Sequence, residues 1–161
     1  WLYSVKQGAT TMWERWNSYT LADGFGDVGM NSFNHYAYGA VGEWMYRFMC
    51  GIETDPQAPG FAHVLLCPRP DLREDCEIPE GQQRITRAAA SFESVHGLIT
   101  SGWEMKDGAL TYTCTVPVSA TLTLPLMGRN AYVKNGERKT VTTENDALVL
   151  ELQPGTYKFE I

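Results

Sequence analysis

One glutamate of this chain stands between two tryptophans, in residues 8–18, which read GATTMWERWNS. Aromatic rings can cover the apolar faces of a sugar while a carboxylate handles a proton or a water, so this combination is common in sugar-cleaving sites. Glu14 would be that carboxylate. The alternative is a surface ion pair with Arg15 or another cation, although neighbours in an extended segment point to opposite faces.

A histidine in residues 30–39, MNSFNHYAYG, is the second candidate. His35 falls in the first turn of a predicted helix, where a neutral imidazole can donate a hydrogen bond to a sugar hydroxyl. The alternative is that the imidazole only caps the helix or packs against it. Both interpretations stay open at this point.

The helix itself is predicted over residues 34–50, because apolar side chains recur there at the i, i+3, i+4, i+7 spacing. Asn31 or Ser32 is the expected N-cap, since either side chain can accept from an unpaired backbone N–H. Gly51 suits the left-handed position that follows the last turn. The apolar positions are Phe33, Tyr36, Ala37, Ala40, Val41, Trp44, Met45, Phe48 and Met49.

Two glycines interrupt this helix, and each lowers helix stability by ~1 kcal/mol relative to alanine. Gly39 and Gly42 therefore predict a close backbone approach to a neighbouring element. A single helix with a wide apolar stripe is too little for an independent helical domain, so partner helices are expected upstream. The chain also opens Trp1-Leu2-Tyr3 without an initiator methionine, and we expect it to be a fragment.

The segment that carries the glutamate alternates over residues 10–16. In an extended conformation Glu14 and Trp16 share one face, and Trp13 lies on the other. Residues 21–29 follow as a loop with three glycines, at 24, 26 and 29. Such a loop can approach a ligand closely or merely turn the chain.

The chain changes character near residue 56, and short β-type runs separated by turns follow. Asp107-Gly108 and Asn135-Gly136 are tight-turn signals, and Pro154-Gly155 marks a further turn. Many short strands at this spacing predict an antiparallel β-sandwich, and hence an α+β chain. The predicted strands are 62–67, 84–95, 98–105, 110–116, 120–124, 131–133, 148–152 and 156–161.

The amino-acid composition limits which partners and cofactors are expected. Hydrophobic residues make up 43% and charged residues 20%, as in ordinary globular proteins. A net charge of −6 argues against nucleic acid or an anionic membrane as a partner. The three histidines and four cysteines lack zinc-type spacing, so neither a metal nor another cofactor is expected. Cys67 and Cys76 flank a loop and could bridge, but buried free thiols are favoured for all four cysteines.

Several of these motifs resemble the bacterial α-L-rhamnosidases of glycoside hydrolase family 78. The resemblance rests on GATTMWERWNS (8–18), MNSFNHYAYGAVGEWMYR (30–47) and the Gly51-Ile52 pair. It continues through PGFAHVLLCPRP (59–70) and SFESVHGLITSGWE (91–104), and it fades after about residue 125. The two front motifs are long and specific.

The resemblance implies that residues 1–56 are the end of an (α/α)6 catalytic barrel and that residues 57–161 are its C-terminal β-sandwich. It implies an inverting hydrolase of terminal α-L-rhamnosides, with a rhamnose-containing glycoside as substrate. The glutamate of the family's W-E-R-W motif, here Glu14, would be the general base. The histidine of its N-H-Y motif, here His35, would contact rhamnose. Trp13, Trp16 and Asn17 are near this site by position only.

The family's general acid would lie upstream, because no second carboxylate here sits in a comparable motif. Asp23 and Asp27 flank the glycine loop and are candidates by proximity, with a solvated loop as the alternative. The isolated chain is therefore expected to be inactive, and its necessary partner is the upstream part of the same enzyme. The exposed stripe at residues 33–49 also predicts self-association into a homo-oligomer.

Two other functions stay open. The chain could act as a β-sandwich that packs against a barrel or binds carbohydrate, for which Trp103 and Tyr112 are the only obvious platform residues. It could also belong to another inverting (α/α)6 glycosidase, with a different sugar and the same role for Glu14. The compartment is left open between the bacterial cytoplasm and the periplasm or exterior.

Overall fold

The structure is a computed structural model that describes residues 2–143 and 145–161. It divides into two compact units, Trp1–Trp44 and Met45–Ile161. The first is small and largely irregular, and the second holds ten strands of mostly antiparallel sheet among the described residues. Helix and strand are thus mixed, as the sequence predicts, and the helical part is small.

The first unit begins with a single helical turn, α1 (Leu2–Lys6). A two-stranded ribbon follows, formed by β1 (Tyr19–Thr20) and β2 (Gly24–Phe25). Short 3₁₀ turns at Val28–Met30 and Ala37–Ala40 lead into α2 (Val41–Trp44). Among its described residues, only Trp13 and Ser18 are buried, so this unit has little core of its own.

The predicted helix over residues 34–50 begins later than expected. It consists of the 3₁₀ turn at Ala37–Ala40, α2, and a π-helical turn at Met45–Met49 that belongs to the second unit. The prediction that Asn31 or Ser32 caps it is wrong. Tyr36 occupies the N-cap without a side-chain hydrogen bond. The Asn31 amide donates to the Ser18 carbonyl, and the Ser32 hydroxyl accepts the Asn34 N–H, which lies before the helical residues begin.

The predictions for the glycines of this region fare differently: the one for Gly51 is confirmed, and the one for Gly39 and Gly42 is not. Gly51 has a φ of 72°, which confirms its predicted left-handed conformation at the helix end. Gly39 and Gly42 were expected to allow a close approach, but no described atom lies within 4 Å of a Cβ built at either position. None of the described residues at 37–49 is fully buried.

The second unit contains two sheets. One has four strands in the order β11-β8-β4-β3, and the other has six in the order β10-β9-β12-β7-β6-β5. All pairings are antiparallel except β4 with β8. The strands are β3 (Ile52–Thr54), β4 (Val64–Leu66), β5 (Arg87–Ser94), β6 (Gly97–Lys106), β7 (Ala109–Val116), β8 (Ala120–Pro125), β9 (Ala131–Lys134), β10 (Glu137–Thr140), β11 (Ala147–Leu152) and β12 (Gly155–Glu160).

All eight predicted strands are present, within a few residues of their predicted bounds. The short strands β1, β2, β3 and β10 were missed. β10 is exposed at each of its four positions and therefore shows no apolar alternation, whereas β3 has only three residues. Because β3 pairs with β4, sheet structure starts before residue 56, and the division into 1–56 and 57–161 stays a prediction.

The sandwich core is built by strict alternation on both sheets. Every second residue is buried along β7 and β8, and their inward side chains meet in one cluster. The predicted tight turns are confirmed by positive φ at Asp107 and Gly108, and at Asn135 and Gly136. No helix in the described part of the chain is long and apolar enough to cross a membrane.

Two aromatic residues considered as a sugar platform lie inside this core. Trp103 is 4% exposed and Tyr112 is fully buried. The Trp103 indole N–H donates to the Met49 carbonyl at 2.7 Å, and the Tyr112 hydroxyl is 2.9 Å from the Ser101 hydroxyl. Both rings therefore serve packing and offer no exposed stacking face.

Candidate functional site

Two short segments of the first unit lie side by side and carry both predicted site residues. The Glu14 N–H donates to the Ser32 carbonyl at 2.8 Å, and the His35 N–H donates to the Met12 carbonyl at 2.7 Å. The Thr11 hydroxyl adds a further bond to the Phe33 carbonyl. The numbering rises along one segment as it falls along the other, so the pairing is antiparallel without a regular strand.

The Glu14 carboxylate is held by the main chain opposite to it. Its Oε2 atom accepts the Ser32 N–H at 2.7 Å, so the two residues exchange hydrogen bonds in both directions. Among the described residues no group donates to Oε1. The side chain is partly buried, and its described hydrogen bond is to a backbone amide, whereas the alternative was a surface ion pair with Arg15. One oxygen is thus fixed and the other can interact with a water or a substrate.

His35 lies two residues before the 3₁₀ turn and not within its first turn. Its Nδ1 accepts the Ala37 N–H at 3.4 Å, and its ring stacks on Tyr36 at 5.6 Å between centroids. An imidazole that accepts at Nδ1 and is neutral carries its proton on Nε2. The capping contact and the proposed sugar contact are therefore compatible, because they use different nitrogens.

The two indoles have different surroundings. Trp13 is 8% exposed and meets Phe33 edge to face at 5.3 Å, so its ring belongs to the small core of this unit. Trp16 is 47% exposed and stacks on Tyr38 at 4.2 Å. Asn17 is exposed. The predicted extended run from 10 to 16 is interrupted after Glu14, where the chain turns.

That turn is closed by a serine that the sequence analysis did not single out. Ser18 has no exposed surface. Its hydroxyl accepts the Arg15 N–H at 3.1 Å, and its N–H donates to the Arg15 carbonyl at 3.2 Å. The Ser18 carbonyl accepts from the Gly26 N–H and from the Asn31 side chain, both at 2.9 Å. Three of these four contacts use backbone atoms of Ser18, so its residue type alone does not mark it in the sequence.

The glycine loop is shaped by its own polar side chains. Asp23 accepts from the Thr20 hydroxyl at 3.1 Å, and Asp27 accepts the Gly29 N–H at 2.8 Å. Both carboxylates therefore stabilise turns of the loop, which favours the solvated-loop interpretation over a role as general acid.

An open cleft of about 490 Å³ borders the aromatic cluster of this unit. Neither Glu14 nor His35 lines it. Its lining residues are Gln7, Gly8, Ala9, Thr10, Thr11, Trp13, Tyr19, Phe25 and Phe33. Among the described residues, no three His, Cys, Asp or Glu side chains form a group that could hold a metal ion.

A partly buried carboxylate with one restrained oxygen suits the proton transfer that carboxylates perform in glycoside hydrolases. Two family models match the chain. The bacterial alpha-L-rhamnosidase 6 hairpin glycosidase domain matches residues 1–49, and the bacterial alpha-L-rhamnosidase C-terminal domain matches residues 51–141. The chain belongs to the bacterial α-L-rhamnosidase family, as its motifs predict.

Individual relatives agree with the family models. An alpha-L-rhamnosidase of Formosa agariphila is 36% identical over 169 residues, which cover 99% of this chain and 17% of that protein. One of Streptomyces avermitilis is 36% identical over 162 residues, which cover all of this chain and 14% of that protein. This chain therefore spans about one sixth of the length of these curated relatives.

Solved structures match in fold as well. The crystal structure of Streptomyces avermitilis alpha-L-rhamnosidase complexed with L-rhamnose superposes with a TM-score of 0.77 at 35% identity. The match covers 99% of this chain and 14% of that one. An alpha-L-rhamnosidase from Aspergillus terreus gives a TM-score of 0.70 at 25% identity, with 100% and 15% covered.

Proposed function

We propose that this chain is part of an inverting α-L-rhamnosidase and that Glu14 is the general base. The observation that carries the proposal is the carboxylate geometry. A backbone amide fixes Oε2 at 2.7 Å, and no described group donates to Oε1. Family membership and the similarity to a rhamnosidase complexed with L-rhamnose support terminal α-L-rhamnosides as the substrate class.

The chemistry suits a carboxylate held in this way. In an inverting glycosidase the base activates a water on one face of the sugar, while an acid about 6.5–9.5 Å away protonates the leaving oxygen. Oε1 of Glu14 would take the proton from that water. The bond from Ser32 restrains the rotation of the carboxylate and keeps Oε1 directed at the water during attack.

His35 would bind the sugar through the nitrogen that its capping bond leaves available. The Nε2–H group would donate to a rhamnose hydroxyl, while the Ala37 N–H holds Nδ1 and so fixes the tautomer. Trp16, with 47% of its surface exposed, could cover an apolar face of the sugar, and Asn17 could reach a hydroxyl. Trp13 would act indirectly by supporting the Glu14 segment.

The general acid is assigned to a part of the enzyme outside this chain, in the (α/α)6 barrel to which residues 1–56 would contribute the last elements. Asp23 and Asp27 bond to their own loop, so neither is proposed as the acid. The chain by itself would activate a water but could not protonate the leaving oxygen. We therefore expect it to show no rhamnosidase activity when isolated.

The first experiment compares wild type with Glu14→Gln in the complete enzyme, using an aryl α-L-rhamnoside. Loss of the base is expected to lower turnover by about 10²–10⁴-fold, with an unchanged circular dichroism spectrum and thermal midpoint. Proton NMR of the first-formed sugar should show inverted configuration in the wild type. Unchanged turnover in Glu14→Gln would refute the role of Glu14, and retained configuration would refute the inverting mechanism.

The identity of the sugar needs its own control, because another (α/α)6 glycosidase could use the same base. A panel of aryl glycosides, in which α-L-rhamnoside is compared with α-L-fucoside, α-D-mannoside and β-D-glucoside, separates the two possibilities. We expect kcat/KM to be highest for the rhamnoside. A higher value for any other sugar would keep the role of Glu14 and overturn the substrate assignment.

For the sandwich we propose a packing role and not a sugar-binding one. The supporting observation is that Trp103 and Tyr112, the two residues considered as a platform, are both buried. Residues 45–161, which contain all the strands of the sandwich, should therefore give no heat of binding with rhamnose in calorimetry. Measurable affinity in the absence of residues 1–44 would contradict this role.

A further inference from the structure

Five residues of the first unit form a closed ring of bonds around the proposed base. Glu14 exchanges two hydrogen bonds with Ser32, and the following residue, Arg15, exchanges two with Ser18. Ser18 accepts from the side chain of Asn31, which is covalently joined to Ser32. The ring thus runs through Glu14, Arg15, Ser18, Asn31 and Ser32 and back to the carboxylate, with hydrogen bonds of 2.7–3.2 Å.

The side chain of Asn31 is orientated by a single contact and leaves one atom unsatisfied. Its Nδ2 donates to the Ser18 carbonyl at 2.9 Å. Its Oδ1 is buried and accepts no hydrogen bond within the described part of the chain. Turning the amide over would place Oδ1 against the Ser18 carbonyl and lose the bond, so the orientation is fixed. A buried acceptor without a hydrogen bond is destabilising. The same side-chain amide supplies the hydrogen bond that connects Ser18 to Asn31, the neighbour of Ser32.

The glycine loop packs against this ring. The Gly26 N–H donates to the Ser18 carbonyl at 2.9 Å. A Cβ at Gly26 would lie 3.3 Å from Asn31 Nδ2 and 3.5 Å from the Ser18 carbonyl oxygen. The absence of a side chain lets the loop backbone reach the ring. Gly26 therefore serves the internal support of the site, whereas the sequence had left open a close approach to a ligand.

From these contacts we infer that Ser18 and Asn31 are positioning residues for the Glu14 carboxylate, an inference that rests on the proposed function. Ser18 fixes the turn that leaves Glu14, and Asn31 ties the neighbour of Ser32 to that turn. Together they keep the Ser32 N–H within hydrogen-bonding distance of Oε2 of Glu14. The other oxygen, Oε1, then stays directed at the reacting water. Neither Ser18 nor Asn31 touches the substrate in this role.

The test uses Ser18→Ala and Asn31→Ala in the complete enzyme with an aryl α-L-rhamnoside. Displacing a catalytic group by about 1 Å can cost on the order of 10²-fold, so we expect kcat to fall about 10–100-fold while KM stays within about twofold. Thr20→Val is the matched control. It removes two local bonds between the Thr20 hydroxyl and Asp23, which lie close in sequence to Ser18 but outside the ring, and kcat should be unchanged.

A double-mutant cycle separates positioning from a general loss of structure. If Ser18 and Asn31 act through Glu14, adding either alanine to Glu14→Gln should lower kcat no further. A further tenfold loss in the double variants would assign them a structural role and overturn the inference. So would single alanine variants that fold, as judged by circular dichroism, and keep wild-type kcat.

The same variants distinguish failure of the proposed function from failure of the positioning roles of Ser18 and Asn31. If Glu14→Gln retains turnover, the proposed function fails, and the inference fails with it. If Glu14→Gln loses turnover while both alanine variants keep it, only the positioning inference fails. Asn31→Gln, which keeps the amide on a longer side chain, should recover part of the kcat lost in Asn31→Ala.

Discussion

Two of the four thiols are enclosed by the sandwich, while the other two face solvent. Cys50 and Cys114 are buried, and Cys67 and Cys76 are exposed. Burial raises the pKa of Cys50 and raises that of Cys114 to about 12. Because the thiolate is the reactive form, Cys114 stays protonated and unreactive in the folded protein. The predicted free thiols are thus observed, but burial holds for only half of them.

This difference predicts the reaction with an aromatic disulfide reagent at mildly alkaline pH. Two thiols should react quickly in the folded chain and all four after denaturation in guanidinium. A Cys67→Ser/Cys76→Ser variant should lose the fast phase and keep the slow one. A fast phase that persists in that variant would show that Cys50 or Cys114 is accessible.

The residues of the candidate site differ in how visible they are in the sequence. Glu14 and His35 could be singled out because a carboxylate and an imidazole among aromatic residues suggest a particular chemistry. Ser18 and Asn31 could not, because their contacts join residues 13 positions apart and use backbone atoms that every residue has. Asn31 was instead predicted as a possible helix N-cap, because asparagine before a run of apolar helical spacing is typical of that position.

At the scale of elements, the end of the π-helical turn depends on one glycine. Gly51 has a φ of 72°, and a Cβ there would lie 2.1 Å from the Pro68 nitrogen and 2.2 Å from the Cys67 carbonyl carbon. Since backbone atoms cannot move away as a side chain would, Gly51→Ala should lower the free energy of unfolding by at least about 2 kcal/mol. Urea unfolding measures this loss.

Gly60 provides a matched control for that measurement. Its φ is also 72°, but beyond its chain neighbours no described atom lies within 4 Å of its Cβ position. Gly60→Ala should therefore cost only the backbone strain, about 1–2 kcal/mol. Equal losses in the two variants would mean that the close approach of Pro68 contributes nothing.

The strands could be predicted much better than the helix, for a physical reason. In a half-buried strand, apolar and polar residues alternate because successive side chains face the core and the solvent. Buried positions alternate in this way along β7 and β8. The segment at 34–36 looks helical by apolar spacing, but residues 32–35 are bonded to residues 11–14 by contacts that spacing cannot reveal. Tertiary pairing there displaced the helix start to Ala37.

At the scale of the whole chain, buried apolar surface is divided unequally between the two units. All the buried hydrophobic residues that the structure describes, except Trp13, belong to Met45–Ile161. That unit also contains both sheets and their common core. We therefore expect residues 45–161 to fold alone with a single unfolding transition. Leu122→Ala, at a fully buried core position, should cost about 2–5 kcal/mol.

The first unit instead exposes large apolar side chains. Val28 is 97% exposed, and Leu21 and Phe25 are 77% and 75% exposed. Because such patches favour association, the isolated chain should sediment as a concentration-dependent oligomer, whereas residues 45–161 should sediment as a monomer. A Leu21→Lys/Val28→Lys variant should shift the full chain toward monomer. A chain that stays monomeric at all concentrations would show that these side chains are not a contact surface, and their exposure would then need no partner from a larger enzyme.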